Sequence, residues 1–415
     1  MSTPPPDFAL PYPTVTIDDI TTAARRIDGH VVTTPCTYSQ TLSAITGAHV
    51  FVKFENLQFT ASYKERGALN RLLCLPENTV GVVAASAGNF AQGVAHHATR
   101  LGIDVTIVMP IGTPSVKVTN TQYLGGTVVL GGDTFDAASA HARELAVSEH
   151  RELLSPFNDE LVIAGQGTVA LEILAVVHDL DVIIVPAGGG GLLAGIAVAT
   201  RAVAPGVEIV GVQTEQFPGI ANAFNGSALR GGGPTIAEGI AVAVPGDRTV
   251  ALIAGSVDRV VTVPEHQIER AIAMLVEIEK TVAEGAGAVA LAELLTHPET
   301  YVGKRVAIVI SGGNIEPRQL ASVLLRSLVR NGRIATLWVE LPDRPGMLAR
   351  LATVVGDSGA NIVEVQHQRL DLGIHARSTE VQLTIETAGV DHTNSVIEAL
   401  AHAGFVVRVR DAHTS

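Results

Sequence analysis

The sequence predicts an α/β protein with two lobes built on parallel sheets, followed by a small ferredoxin-like βαββαβ unit. Three observations predict it. From about residue 50 to 310, short runs rich in Val and Ile alternate with helix-like stretches, the order of parallel strands covered on both faces. These apolar runs repeatedly end in Gly, Ser or Asn before a helix begins. After Arg330–Asn331–Gly332 the order changes to strand, helix, strand, strand, helix, strand, which is the split βαβ pattern.

The strand-like runs are Val50–Phe54, Val80–Ala85, Val105–Met109, Val182–Val185, Ile209–Val212, Val260–Val263 and Val306–Ile310. Ala91–Leu101, Ala137–Ser148 and Gln267–Glu279 are among the helices between them. Beyond residue 330, Ile334–Glu340 reads as a strand and Pro345–Asp357 as a helix opened by proline. Asn361–Leu370 and Thr379–Thr387 alternate as strands, Asn394–Ala403 is a helix, and Val406–Arg410 is a last strand. A separate domain is therefore expected over 333–413, entered through the Pro and Gly signals near 331–346.

Composition narrows the function. The 415 residues suffice for two or three compact units, and 47% hydrophobic against 17% charged residues excludes a disordered chain. A net charge of −13 argues against nucleic-acid or anionic-membrane partners. Cys36 and Cys74 are too far apart for a CxxC metal or redox motif and fit a reducing compartment. The Pro-rich start, Met1–Pro6, has no basic segment or apolar core and is not read as a signal peptide. The uncharged stretch Val182–Thr200 is split by Pro186 and four glycines, so it reads as strand, loop and helix start rather than a membrane span. A soluble, cytoplasmic protein is expected.

Lysine is scarce: Lys53, Lys64, Lys117, Lys280 and Lys304 are the only ones. A lysine is ordinarily a solvated surface charge. Lys64 has an unusual setting, with small residues Thr60, Ala61 and Ser62 before it and Gly67–Ala68 after it. A lysine held in such a turn is partly stripped of water, which favours a nucleophilic amine. Three loops follow strand-like runs: Ser86–Ala87–Gly88–Asn89, Gly188–Gly189–Gly190–Gly191 and Ser311–Gly312–Gly313–Asn314. Loops at the carboxyl ends of parallel strands are where such sheets bind ligands. The four-glycine loop runs into a helix start, and its free amides suit a phosphate. No Gly-Lys-Ser/Thr follows and no GxGxxG stands at the first strand, so a nucleotide is the weaker choice. A phosphate cradle with an activated lysine points to pyridoxal 5′-phosphate.

At this point the chain resembles a known family. Phe54–Glu55–Asn56–Leu57–Gln58–Phe59–Thr60 followed by Ala61–Ser62–Tyr63–Lys64–Glu65–Arg66–Gly67–Ala68 is similar to the lysine motif of the threonine dehydratases, or threonine ammonia-lyases. These are fold-type-II pyridoxal-phosphate enzymes of the tryptophan-synthase-β-like superfamily. The likeness continues through Ser86–Asn89, Ala164–Thr168, Gly188–Gly191, Thr235–Ile240 and Ser311–Asn314, and covers about residues 15–325. Glu340–Leu348 and Gly359–Ile362 resemble an ACT domain, a small module that often binds amino acids.

The resemblance implies a catalytic part over 1–330, with a small lobe of about 50–155 inserted in the large one, and an ACT-like regulatory domain over 333–413. It implies that Lys64 holds the cofactor as a Schiff base and moves the substrate's Cα proton. Asn89 would face the cofactor's phenolic oxygen, Gly188, Gly189, Gly190 and Gly191 its phosphate, and Ser311 its ring nitrogen. Ser86, Ala87 and Asn89 would take the substrate carboxylate. A hydroxyl at the ring nitrogen leaves a weaker electron sink than a carboxylate, which suits β-elimination. The β-hydroxyl must leave protonated, and the cofactor phosphate is one candidate acid. Asp343, Gly346 and Asn361 are the effector-site candidates, with isoleucine or valine as the effector, and a homodimer or homotetramer is expected.

Departures from the family pattern are Phe90 in place of His, and Asn158 in place of Asp. Glu215 lies where some relatives hold a divalent cation, but Ala221 replaces the second carboxylate, so no metal is expected. Glu284 has two accounts: it faces the cofactor, or it caps a helix. The expected reaction is dehydration and deamination of L-threonine, and of L-serine, to 2-oxobutanoate or pyruvate plus ammonia. The alternatives are serine racemase, against which Ala87 argues because it cannot transfer a proton, and a dehydratase of another 3-hydroxy amino acid such as 3-hydroxyaspartate or phenylserine. A cysteine-synthase-like replacement enzyme fits less well, and a non-catalytic amino-acid sensor is the rival from another class.

Overall fold

The computed structural model describes residues 15–368 and 378–409. The Pro-rich start, positions 369 and 370 of one expected strand and position 410 of another lie outside the described residues. The chain divides into two compact units, Met1–Ile315 and Glu316–Ser415. The helix Pro317–Arg330 goes with the second unit, where it packs on the first strand of that unit.

In the first unit the strands are β1 (Cys36–Tyr38), β2 (His49–Phe54), β3 (Val82–Ala85), β4 (Val105–Met109), β5 (Thr127–Leu130), β6 (Glu152–Leu154), β7 (Val182–Pro186), β8 (Glu208–Thr214), β9 (Arg259–Val263) and β10 (Arg305–Ile310). They form two sheets, in the orders β1-β2-β10-β7-β8-β9 and β5-β4-β3-β6. All pairings are parallel except β1 on β2. Every residue of β7 is buried, as is β10 beyond Arg305. Each such Val or Ile contributes about 1.5–3 kcal/mol of burial, and helices on both faces make that burial possible.

The sequence reading needs three corrections here. The small lobe does not begin near residue 50, because β2 pairs with β10 in the large sheet; its strands run from Val82 to Leu154. The run from Val80 becomes strand only at Val82, since Val80 is solvent-exposed. β1, β5 and β6 were not anticipated. Two of them are three residues long, and β5 is a half-exposed edge without a continuous buried run.

The helices Glu160–Val176 and Gly191–Val203 pack very closely. A methyl group at Gly195 would lie 2.4 Å from the Ile163 carbonyl oxygen and 2.6 Å from the Gly167 nitrogen. That contact brings the start of the second helix, with its glycine loop, to the middle of the large sheet.

In the second unit β11 (Ile334–Pro342), β12 (Asn361–Gln368), β13 (Ser378–Glu386) and β14 (Val406–Val409) form an antiparallel sheet in the order β12-β13-β11-β14. Leu337, Val339, Leu341, Val381, Leu383 and Ile385 alternate toward the helices Met347–Asp357 and Val390–His402. The first helix starts at Met347 rather than Pro345, because Gly346 takes the left-handed φ of +89° just before it. The second starts at Val390 rather than Asn394, directly after Gly389.

Candidate active site

The loops that follow β2, β3, β7 and β10 carry the expected site residues, and all leave the carboxyl ends of parallel strands. The loop after β2 reaches Lys64, which opens the helix Lys64–Leu72. It is stitched to the loop after β10. Ser62 forms a bridge with Gly312, the Tyr63 amide donates to the Ser311 carbonyl at 3.2 Å, and the Gly313 amide donates to the Ala61 carbonyl at 2.9 Å. Lys64 is half-buried, and its Nζ lies 3.1 Å from the Tyr63 hydroxyl.

Behind Lys64 its helix is held by buried charge. Arg66 makes two bonds to Glu55, both 2.8 Å, and also reaches Glu172. Lys53 pairs with Glu172 and donates to the Thr34 carbonyl at 2.7 Å. Burial works against the Glu55 carboxylate, yet Arg66, Lys53 and Thr34 hold it below its ordinary range. Lys53 is thus no surface charge, since it lies in a strand buried on both faces. Two cations face two anions, so no charge in the group is unpaired.

The four-glycine loop joins β7 to the helix Gly191–Val203, and Lys64 shares a cavity with it, lined also by Tyr63, Phe157 and Gly239. The amides of the helix's first turn have no acceptor inside the helix. Side chains are excluded from this loop. A methyl at Gly189 would lie 2.3 Å from the Phe157 ring, and Gly190 has φ of +97°.

Asn89 opens the helix Asn89–Leu101 after β3. Its Oδ1 accepts from Asn314 Nδ2 at 2.8 Å, and its Nδ2 donates to Glu284 Oε1 at 2.6 Å. Ser86 Oγ accepts from the Gly88 and Ala91 amides, each at 3.3 Å, and so braces the turn into that helix. Ala87 is half-buried in the same turn. Ser311 is buried, and its hydroxyl donates to the Ala286 carbonyl at 3.3 Å. Glu284 stands before the helix Gly285–Thr296, but its side chain makes no capping bond there. Burial raises its carboxyl pKa to about 7, against the Asn89 bond and the nearby Lys64 and Lys117. Lys117 pairs with Glu238, joining the small-sheet region to the Thr235–Ile240 segment.

Residues 27–312 match the family of pyridoxal-phosphate dependent enzymes. The chain belongs to that family. Residues 331–410 of this pyridoxal-phosphate family member match the ACT domain. It is 43% identical to the L-threonine ammonia-lyase of Thermotoga maritima over 95% of this chain and 99% of that one. The processed threonine deaminase isoform 2 of Solanum lycopersicum superposes with a TM-score of 0.69 at 33% identity, covering 75% of this chain and 94% of that one. Maize serine racemase gives 0.70 at 31% identity, covering 77% and 99%.

The residues of this family member fit pyridoxal phosphate. A side-chain-free loop presents its amides beside a lysine amine, in a cleft lined by Phe157, whose ring a Cβ on Gly189 would strike. Lys64 and the four glycines line one cavity. Asn89 and Ser311 join them through hydrogen bonds around the lysine loop, and Ser86 and Ala87 share the Asn89 loop. The effector candidates do not come together within one chain. Asp343 and Gly346 follow the last residue of β11, whereas Asn361 pairs with Glu386, opposite Ile334, the first residue of β11. Glu215 is exposed, and the Ala221 amide is taken by Gln213 Oε1 at 2.8 Å. No helix among the described residues is long and apolar enough to cross a membrane.

Sequence reasoning missed Asn314, Phe157, Lys117 and Glu238 as parts of the site. The scarcity of lysine was a usable signal for Lys117. Asn314 lies in a loop already singled out, and only its bonds to Thr60 and Asn89 reveal its use.

Proposed function

We propose that this chain removes the β-hydroxyl and the amino group of L-threonine, and of L-serine, giving 2-oxobutanoate or pyruvate and ammonia. The observation that carries the reading is the likeness to the Thermotoga maritima L-threonine ammonia-lyase over nearly the whole chain, ACT region included. When bound, pyridoxal phosphate supplies an aldehyde for the substrate amine and a conjugated ring that accepts electron density from Cα. Lys64 is the amine that holds the cofactor and moves the Cα proton. The amides of Gly188–Gly191 and the helix N-terminus behind them bind its phosphate. One Asn89 Nδ2 proton goes to Glu284; the other is free for the cofactor's phenolic oxygen. Ser311 would face the ring nitrogen, where a hydroxyl does not impose a proton as a carboxylate would. The amides of the Ser86–Asn89 turn take the substrate carboxylate.

The test is release of 2-oxo acid and ammonia by the purified holoenzyme across L-threonine, L-serine, 3-hydroxyaspartate and phenylserine. Turnover should be fastest with threonine. A holoenzyme that releases ammonia from none of the four would end this reading.

The likeness to maize serine racemase supports a second reading. Inverting Cα requires an acid on the face opposite Lys64. Ala87 has no proton to give, so ammonia release should far exceed D-serine formation. Ala87→Ser should raise D-serine above the parent level in chiral analysis of the product.

The ACT domain is read as the sensor of a branched-chain amino acid in the cytoplasm, in a homodimer or homotetramer. Gly346 leaves open space at the turn before the helix Met347–Asp357, so a ligand can approach its backbone. Asn361 reaches such a ligand only from a second copy of the chain. Titrating isoleucine and valine into the full-length enzyme tests this. Activity that responds to neither would make the domain structural only.

A further inference from the structure

Glu284 is the one expected site residue with two accounts, and the helix-capping account fails because its side chain makes no bond to the helix it precedes. The carboxylate turns instead toward Asn89 and toward Gly239, which lines the cleft. Room for it comes from two glycines: a methyl at Gly312 would lie 2.4 Å from Oε1, and one at Gly239 would lie 3.2 Å away. Its amide is fixed by a 3.1 Å bond to the Gly312 carbonyl.

The bonds around it have only one consistent direction. Asn314 Nδ2 donates to the Thr60 carbonyl at 2.7 Å, and a carbonyl can only accept. The same Nδ2 therefore donates to Asn89 Oδ1, which leaves Asn89 Nδ2 to donate to Glu284 Oε1. Oε1 is thereby an acceptor and carries no proton. Oε2 makes no hydrogen bond with any described residue and is not among the fully buried polar atoms. A proton on Glu284 sits on Oε2. The residue then carries an O–H donor at Oε2, and without the proton an acceptor.

We propose that Glu284 is a positioning residue that holds an exchangeable proton on Oε2 and imposes its charge state on the site through its bond to Asn89. The proposal rests on the ammonia-lyase reading for its consequence, though not for the proton itself. The charged groups facing it are Lys64, which opens the helix Lys64–Leu72, Lys117 and Glu238. Both lysines favour the ionised form, while burial and Glu238 oppose it. The ionised form strengthens the pull on Asn89 Nδ2 and so orders the amide whose other proton serves the cofactor.

The test uses infrared pH-difference spectra of the cofactor-free full-length protein between about pH 5.5 and 8.5, where ordinary carboxyls are already ionised. Wild type should show one carboxylic-acid carbonyl band that disappears on the way up, and E284Q should lack it. E284D should keep the band with a shifted midpoint. On the holoenzyme, E284Q should lose the same pH limb from kcat while keeping its cofactor content. Absence of any such band in wild type, or a pH limb of kcat that survives in E284Q, overturns the proposal. The infrared result stands even if the holoenzyme releases no ammonia, so failure of this assignment and failure of the reaction assignment are told apart.

Discussion

Asn89 Nδ2 lies 2.6 Å from Glu284 Oε1, which couples the helix after β3 to the start of a helix that packs on the large sheet. The two residues are 195 positions apart, and the bond joins the small lobe to the large one.

Burial of the Glu284 carboxyl, which outweighs that bond, has a consequence for stability. The carboxyl of Glu284 moves from 4.5 to about 7. In that window the folded chain binds more protons than the unfolded one, so stability falls as pH rises through it. Replacing Glu284 by Gln keeps an acceptor for Asn89 and removes the ionisation. E284Q should therefore gain stability over wild type at about pH 8, on the order of 1–2 kcal/mol, and gain little at about pH 4. Urea unfolding of both proteins at the two pH values checks it; an equal difference at both would place the effect in packing.

Lys64→Ala removes the only lysine in the loop cleft's cavity. Turnover should fall at least about 10³-fold, because covalent anchoring and proton transfer are both lost. The cofactor's visible absorbance should also lose its lysine-linked band. Turnover within tenfold of wild type would move the role to another amine.

Gly189→Ala places a methyl against the Phe157 ring. The loop must shift or the ring must move, at a cost of about 1–3 kcal/mol. Cofactor affinity should drop more than stability does. Fluorescence titration of the cofactor into apoprotein, beside thermal unfolding, separates the two.

Arg66→Met and Lys117→Ala should differ sharply. Arg66 is buried against two carboxylates, and its loss should cost about 3–5 kcal/mol by leaving both to Lys53 alone, with one negative charge in excess. Lys117 pairs with a mostly exposed Glu238, so its loss should cost less than about 1 kcal/mol. Denaturant midpoints with unchanged slopes would report the contrast, and similar losses would contradict it.

Much of this protein was legible because its strands announce themselves. β4, β7 and β10 are runs dominated by Val and Ile, and such runs are typical of strands covered on both faces. The lysine turn and the three small-residue loops were legible too, since few other residues tolerate those backbones. Lys53 misled, because a lysine in an apolar strand is legible as buried only once Glu172, far along the chain, is known to meet it. The partner of Glu284 was hidden for the same reason. β5 and β6 were missed because short edge strands carry little apolar signal.

The quartet of Lys53, Glu55, Arg66 and Glu172 also constrains how such a chain can drift through generations. Any single replacement there strands an opposite charge out of water, and reversal requires two coordinated changes on segments remote in sequence. Neutral paths between variants at these four positions are therefore narrow. Among descendants of this chain, the four letters should be inherited as a block or exchanged together, while the exposed residues around them vary one at a time.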